Sequence, residues 1–205
     1  MDNNIYVTQS ITTETLPKIP GPAGLRRPPV LAVGVMIWLG SEFMFFSGLF
    51  AAFFTIRAHA LHWPPPGTNL DYVQASIFSV ILLASSATMQ KAVFSIEKGN
   101  KDQAKRWLIL TFIMGFLFVG NQLYEWITLP FSPSSNVYGS LFFIMSGLHG
   151  LHVLLGLVAM IGLMGRISGK ESDPGEVSVF QGVSYYWHFV DFMWIGLFSC
   201  LFILS

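Results

Sequence analysis

An all-α integral membrane bundle of five transmembrane helices is the fold class that the sequence predicts, on three observations. Of the 205 residues, 53% are hydrophobic and only 11% charged, with a mean hydropathy of +0.58. Five apolar stretches are long enough to cross a bilayer, which takes about 20 residues at a rise of about 1.5 Å each. Short segments rich in Pro, Gly and charge separate them. This composition excludes a water-soluble globule. Eleven Lys+Arg balanced by eleven Asp+Glu leave no basic surface to grip nucleic acid. A lone cysteine, Cys200, sits in an apolar run and excludes a disulfide framework, a thiolate metal site and a redox pair.

Residues 1–29 are polar and Pro-rich without an apolar core, so they read as a flexible cytoplasmic tail and not as a signal peptide. The transmembrane domain, 30–205, follows. Its first span runs from Val30 to Arg57 and stops before Trp63-Pro64-Pro65-Pro66-Gly67; Gly40 and Gly48 read as close-packing positions, and Phe43, Phe45, Phe46, Phe50, Phe53 and Phe54 as a lipid- or helix-facing stripe. The second, Asp71 to Ile96, carries Ser85, Ser86 and Ala87 as small packing residues and ends at Glu97-Lys98-Gly99-Asn100-Lys101-Asp102. The third, Trp107 to Leu129, ends at Pro130-Phe131-Ser132-Pro133. The fourth, Tyr138 to Gly165, holds Gly147, Gly150 and Gly156 and gives way to the polar segment from Gly169 to Gly175. The fifth runs from Ser178 to Leu204.

Cations set the orientation. Lys18, Arg26 and Arg27 precede the first span, Lys91, Lys98, Lys101, Lys105 and Arg106 surround the second loop, and Arg166 and Lys170 occupy the fourth; only Arg57 stands opposite. The tail and the even-numbered loops are therefore expected in the cytoplasm and the C-terminus on the outer face.

Counting inward from the helix ends places Glu42, His152, His188 and Asp191 near the midplane, with Glu125 and His149 nearer the outer face. A charged side chain at a helix centre costs on the order of 3 kcal/mol, so each needs a partner or a neutral form. Glu42 has no cation within two turns on its own helix. It reads either as a proton-handling group or as an interhelical hydrogen bond. His149 and His152, and likewise His188 and Asp191, are three apart on one helix face. Spacing leaves three readings open for them: a metal site, axial haem ligation, or a structural hydrogen-bond cluster, with Asp191 and His188 as a local ion pair. Ser146 beside Gly147 and His149 matches a serine hydrolase only weakly, because Ser and Gly are ordinary packing residues in spans.

Taken together, the motifs are more specific. Ser41-Glu42-Phe43-Met44-Phe45-Phe46-Ser47-Gly48, Trp63-Pro64-Pro65, Leu82-Leu83-Ala84-Ser85-Ser86, Gln122-Leu123-Tyr124-Glu125-Trp126, Tyr138-Gly139-Ser140, Gly147-Leu148-His149-Gly150-Leu151-His152-Val153 and Tyr186-Trp187-His188-Phe189-Val190-Asp191 cover the chain from residue 30 onward. The chain resembles subunit III of cytochrome c oxidase, in the haem-copper oxidase family. Members commonly have seven spans. This one resembles the short five-span form of bacterial oxidases, so the lipid cleft that the first two helices bound in longer members must be bounded differently.

The resemblance implies a non-redox accessory subunit in a bacterial cell membrane. It would stabilise subunit I, bind phospholipid and support proton uptake while the complex oxidises cytochrome c and reduces oxygen to water. No catalytic centre, cofactor or metal is then expected on this chain; haems and copper belong to subunits I and II. Glu42 matches an acid linked to proton handling, and Arg166 matches an arginine that binds lipid phosphate. Glu125, His149, His152, His188 and Asp191 become members of a buried polar network. Cytochrome c would be an indirect partner, and membership of a larger respiratory supercomplex is left open. Two other classes compete: an autonomous haem- or metal-binding membrane oxidoreductase using His149, His152 and His188, and a small proton-coupled transporter using Glu42 and Asp191. The second lacks the repeats and broken helices that transporters often show.

Overall fold

A computed structural model of the protein describes residues 30–66, 68, 70–167 and 175–204. The expectations for the tail 1–29, with its three cations, and for the segment from Gly169 to Pro174 with Lys170 lie outside the described residues. Five helices follow one another: α1 (Val30–His59), α2 (Tyr72–Glu97), α3 (Lys101–Thr128), α4 (Val137–Ile167) and α5 (Glu176–Phe198), the last continued by a π-helical turn, Ser199–Ile203. All five are long and apolar enough to cross a membrane, α5 together with its π turn.

Local chemistry fixes the helix ends. Asp71 caps α2 by accepting from the backbone N–H groups of Val73 and Gln74 at 3.1 and 3.0 Å. Asn100 caps α3 by accepting from Gln103 N at 3.1 Å, and Asn136 accepts from Gly139 N at 2.6 Å at the head of α4. The Asn100 cap explains why α3 starts at Lys101, six residues before the apolar stretch opens at Trp107: a polar first turn is invisible to hydropathy. Gly99 makes the tight α2–α3 turn possible. Its φ of +76° lies in the left-handed region, which costs glycine nothing.

Helices α2 and α3 pack along their length, α5 lies against α1, α2 and α4, and α3 also meets α4. Since lipid tails are as apolar as leucine, close packing and interhelical hydrogen bonds must hold these seams. Trp187 supplies both. Its indole N–H donates to Ser85 Oγ on α2 at 2.8 Å, while its ring covers Gly156 of α4 and Gly115 of α3 so closely that a Cβ at either would lie 2.7 Å from it. Trp194 donates to Ser79 Oγ at 2.8 Å, and the Tyr138 hydroxyl donates to Leu201 O in the π turn at 2.9 Å. At the ends, Lys101 pairs with Glu176 at 3.0 Å and Gln181 donates to Glu97 at 2.8 Å.

The small-residue expectation holds on one side of the bundle only. Gly147 meets Trp126 and Gly150 meets Gln122, whereas Gly40 and Gly48 on α1 have nothing within 4 Å of a Cβ position. Helix α1 buries only Ala32, Phe46 and Phe53, so its phenylalanine stripe divides: Phe46 and Phe53 turn inward, and Phe43, Phe45 and Phe54 face outward.

Candidate functional site

The mid-helix acid of α1 and one of the histidines meet. Glu42, on α1, reaches across to His152 on α4, with Oε2 and Nε2 3.2 Å apart. The other ring nitrogen of His152 donates to Leu148 O at 2.7 Å. That bond keeps a proton on Nδ1, so Nε2 either accepts from a protonated Glu42 or, itself protonated, donates to the carboxylate. Either way the pair holds one proton between the two atoms. Phe46 packs edge-on against the ring at 5.1 Å, and the Tyr186 hydroxyl donates to the His152 carbonyl at 2.9 Å. Trp38 of α1 stacks flat on Tyr186 at 5.2 Å, which seats α1 beside the pair.

His149 goes elsewhere. Fully buried between Phe118 and Trp194, it donates from Nε2 to Val190 O on α5 at 3.2 Å, and its Nδ1 has no partner among the described residues. The two α4 histidines therefore serve opposite neighbours, although they share a helix face by spacing. Glu125 stands half-buried near the C-terminal end of α3, its carboxyl without a hydrogen-bond partner among the described residues.

On the α2–α5 seam, His188 and Asp191 come together, but not as the direct ion pair their spacing suggests. Both bond to one hydroxyl, Ser86 Oγ of α2, at 2.9 Å for His188 Nδ1 and closer for Asp191 Oδ2. His188 Nε2 lies 3.3 Å from Gln90 Oε1. Asp191 is buried, and its Oδ1 has no partner among the described residues. Ser85 and Ser86, expected only as packing residues, are thus working hydrogen-bond partners, and Gln90 was not singled out at all. A depth count finds Ser86: it lies eleven residues before the end of α2 at Glu97, and His188 twelve after the start of α5 at Glu176, both about 17 Å in.

With Glu42, Ser86–Gln90 and Val190 as their separate partners, His152, His188 and His149 do not converge, and no group of three or more His, Cys, Asp or Glu among the described residues could share a metal ion. A cavity of about 390 Å³ opens between α1, α4 and α5, walled by Leu31, Val35, Trp38, Leu155, Ala159 and Gly182. Arg166 lies seven residues, two turns, beyond Ala159 on the same face of α4 and is exposed.

Comparison with known proteins gives these features their context. The family model described as "Cytochrome c oxidase subunit III" matches residues 24–205. A probable cytochrome c oxidase subunit 3 of Nocardia farcinica is 46% identical over 182 residues, covering 87% of this chain and 90% of that protein. The corresponding protein of Mycobacterium tuberculosis strain H37Rv is 45% identical over the same shares, and the cytochrome c oxidase subunit 3 of Thermostichus vulcanus is 36% identical over 185 residues, 88% of this chain and 90% of its own. A multi-pass helical membrane chain with this match over most of its length belongs to the cytochrome c oxidase subunit III family.

Proposed function

We propose that this chain, as the third subunit of a proton-translocating terminal oxidase, stabilises subunit I and sustains proton uptake while electrons pass from cytochrome c through the haems and copper of subunits I and II to oxygen. The observation that carries the reading is the Glu42–His152 contact at 3.2 Å, made from the middle of the most exposed helix of the bundle. With one proton shared between them the pair is neutral whichever atom carries it; releasing that proton leaves one negative charge, so release there must be matched by a compensating charge. In the proposed orientation the N-terminus is cytoplasmic and the C-terminus outside, in a bacterial cell membrane. The outward face of α1 meets subunit I.

The test is Glu42→Gln in the intact oxidase. Glutamine can still donate to His152 but cannot release a proton. Turnover-linked proton uptake is expected to slow and inactivation during turnover to accelerate, with subunit III still bound; unchanged uptake would leave Glu42 as a packing hydrogen bond only.

The same reading gives the chain a bound phospholipid, its phosphate at Arg166 and an acyl chain in the 390 Å³ apolar cavity that begins two turns away. Arg166→Ala is expected to lower the phospholipid count of the purified complex by one, with no change in haem content.

A further inference from the structure

We propose that Asp191, Ser86 and His188 form a second proton-holding site, independent of Glu42 and His152, in which the Ser86 hydroxyl passes a proton between carboxyl and imidazole. The inference deepens the polar-network reading of these residues. It does not depend on the Glu42 pair.

Ser86 is the first ground. Five other hydroxyls on α2, those of Ser76, Ser79, Ser85, Thr88 and Ser95, each donate back to a carbonyl one turn earlier on their own helix. That is the usual outlet for a helix serine. Ser86 makes no such bond and directs its hydroxyl wholly across the seam, to His188 Nδ1 and Asp191 Oδ2.

Gln90 is the second. Its Oε1 accepts from His188 Nε2, so that nitrogen keeps its proton and Nδ1 is the variable one. Two arrangements then satisfy every bond. In the first, His188 carries both ring protons; Nδ1–H donates to Ser86 Oγ, and Ser86 O–H donates to the Asp191 carboxylate. In the second, the Ser86 proton has moved to Asp191 Oδ2 and the Nδ1 proton to Ser86 Oγ; the acid donates to the serine, and the serine to Nδ1. Two bonds to hydrogen break and two form. The net charge of the group stays zero, and an ion pair becomes a neutral pair.

Burial brings the two within reach of one another. Asp191 is 3% exposed, and its Oδ1 has no donor among the described residues. As a carboxylate it keeps an unsolvated oxygen and gains the attraction of the imidazolium; as an acid it loses both. From α2 the facing groups are Ser86 and Gln90. The titratable groups at this depth on α4 and α1 are His149, bonded to Val190 O, and His152 and Glu42, bonded to each other. The π turn that continues α5 brings only buried Cys200.

The experiment uses the intact oxidase in lipid nanodiscs. Infrared spectra over pH follow the protonated-carboxyl band, assigned by its loss in Asp191→Asn, and the ring modes of isotope-labelled histidine, assigned by their loss in His188→Gln. In the wild type the two signals are expected to share their midpoints, as coupled sites do. Ser86→Ala should separate them, moving at least one midpoint by about one pH unit or more, and Ser86→Thr should restore the shared titration. Unrelated midpoints in the wild type overturn the proposal whatever becomes of the variants, and so does a Ser86→Ala titration identical to wild type. A carboxyl band that survives Asp191→Asn and is abolished by Glu42→Gln belongs to the other pair: the present proposal then fails and the Glu42 reading stands.

Discussion

Helices α1 and α4 are alike in sequence terms, 30 and 31 residues long and nearly equal in hydropathy, yet α1 buries three residues and α4 fourteen. In water such a difference would follow from composition. Inside a bilayer it cannot, because apolar surface gains nothing from moving out of lipid into protein. The decisive features are local. Where α4 has Gly147, Gly150 and Gly156, a large side chain of α3 or α5 lies against each; where α1 has Gly34, Gly40 and Gly48, nothing is opposite. Helix α4 is held by fit and α1 by a few directed contacts, chiefly Glu42–His152 and Trp38–Tyr186.

The largest effect should come from spoiling the fit. Gly156→Leu drives a side chain into Trp187, where even a Cβ would stand 2.7 Å away, and is expected to destabilise the bundle by about 3 kcal/mol, read as loss of folded chain in detergent thermal scans. A stable Gly156→Leu protein would show that α4 is no better packed than α1. Trp187→Phe is the gentler version. It removes the indole bond to Ser85 and part of the ring between α3 and α4, at a cost of about 2 kcal/mol in the same scan. The smallest effect belongs to α1. Gly48→Leu should leave the isolated chain within about 0.5 kcal/mol of wild type, since its Cβ meets nothing. Retention of the variant in the purified oxidase then sharpens the comparison: a full complement means that this face meets lipid, and a reduced one that it meets subunit I.

Five spans were legible because crossing hydrocarbon demands long apolar runs, and these leave no other reading. Which ionisable groups stand in mid-helix was also legible from helix arithmetic, as with Glu42, His152, His188 and Asp191. Their pairing was not. His149 and His152 share a face by spacing, but whether a side chain turns to α1 or α5 depends on the order in which helices surround α4, and one chain carries no record of that. Ser86 and Gln90 escaped for a second reason. A neutral hydroxyl or amide costs little in a span, so it raises no alarm until a buried acid such as Asp191 is found bonded to it. Boundaries failed where polarity hides a helix: Lys101 to Arg106 look like loop, and the Asn100 cap makes them the first turns of α3.

The α2–α3 turn bears on how the chain enters the membrane. Lys98, Gly99 and Asn100 reverse the backbone within three residues, closed by Gly99 N to Ile96 O and Asn100 N to Ser95 O, both at 2.9 Å. So short a link lets the two spans insert together as a hairpin. In the proposed orientation its basic tip, with Lys98, Lys101 and Lys105, stays on the side of synthesis and never crosses the hydrocarbon. The hairpin is then in place before α5 is made, with Ser79, Ser85 and Ser86 already presented at fixed heights along α2. Trp194, Trp187 and His188 of α5 meet those three positions in turn, a ladder of hydroxyls that fixes the register of α5 on α2.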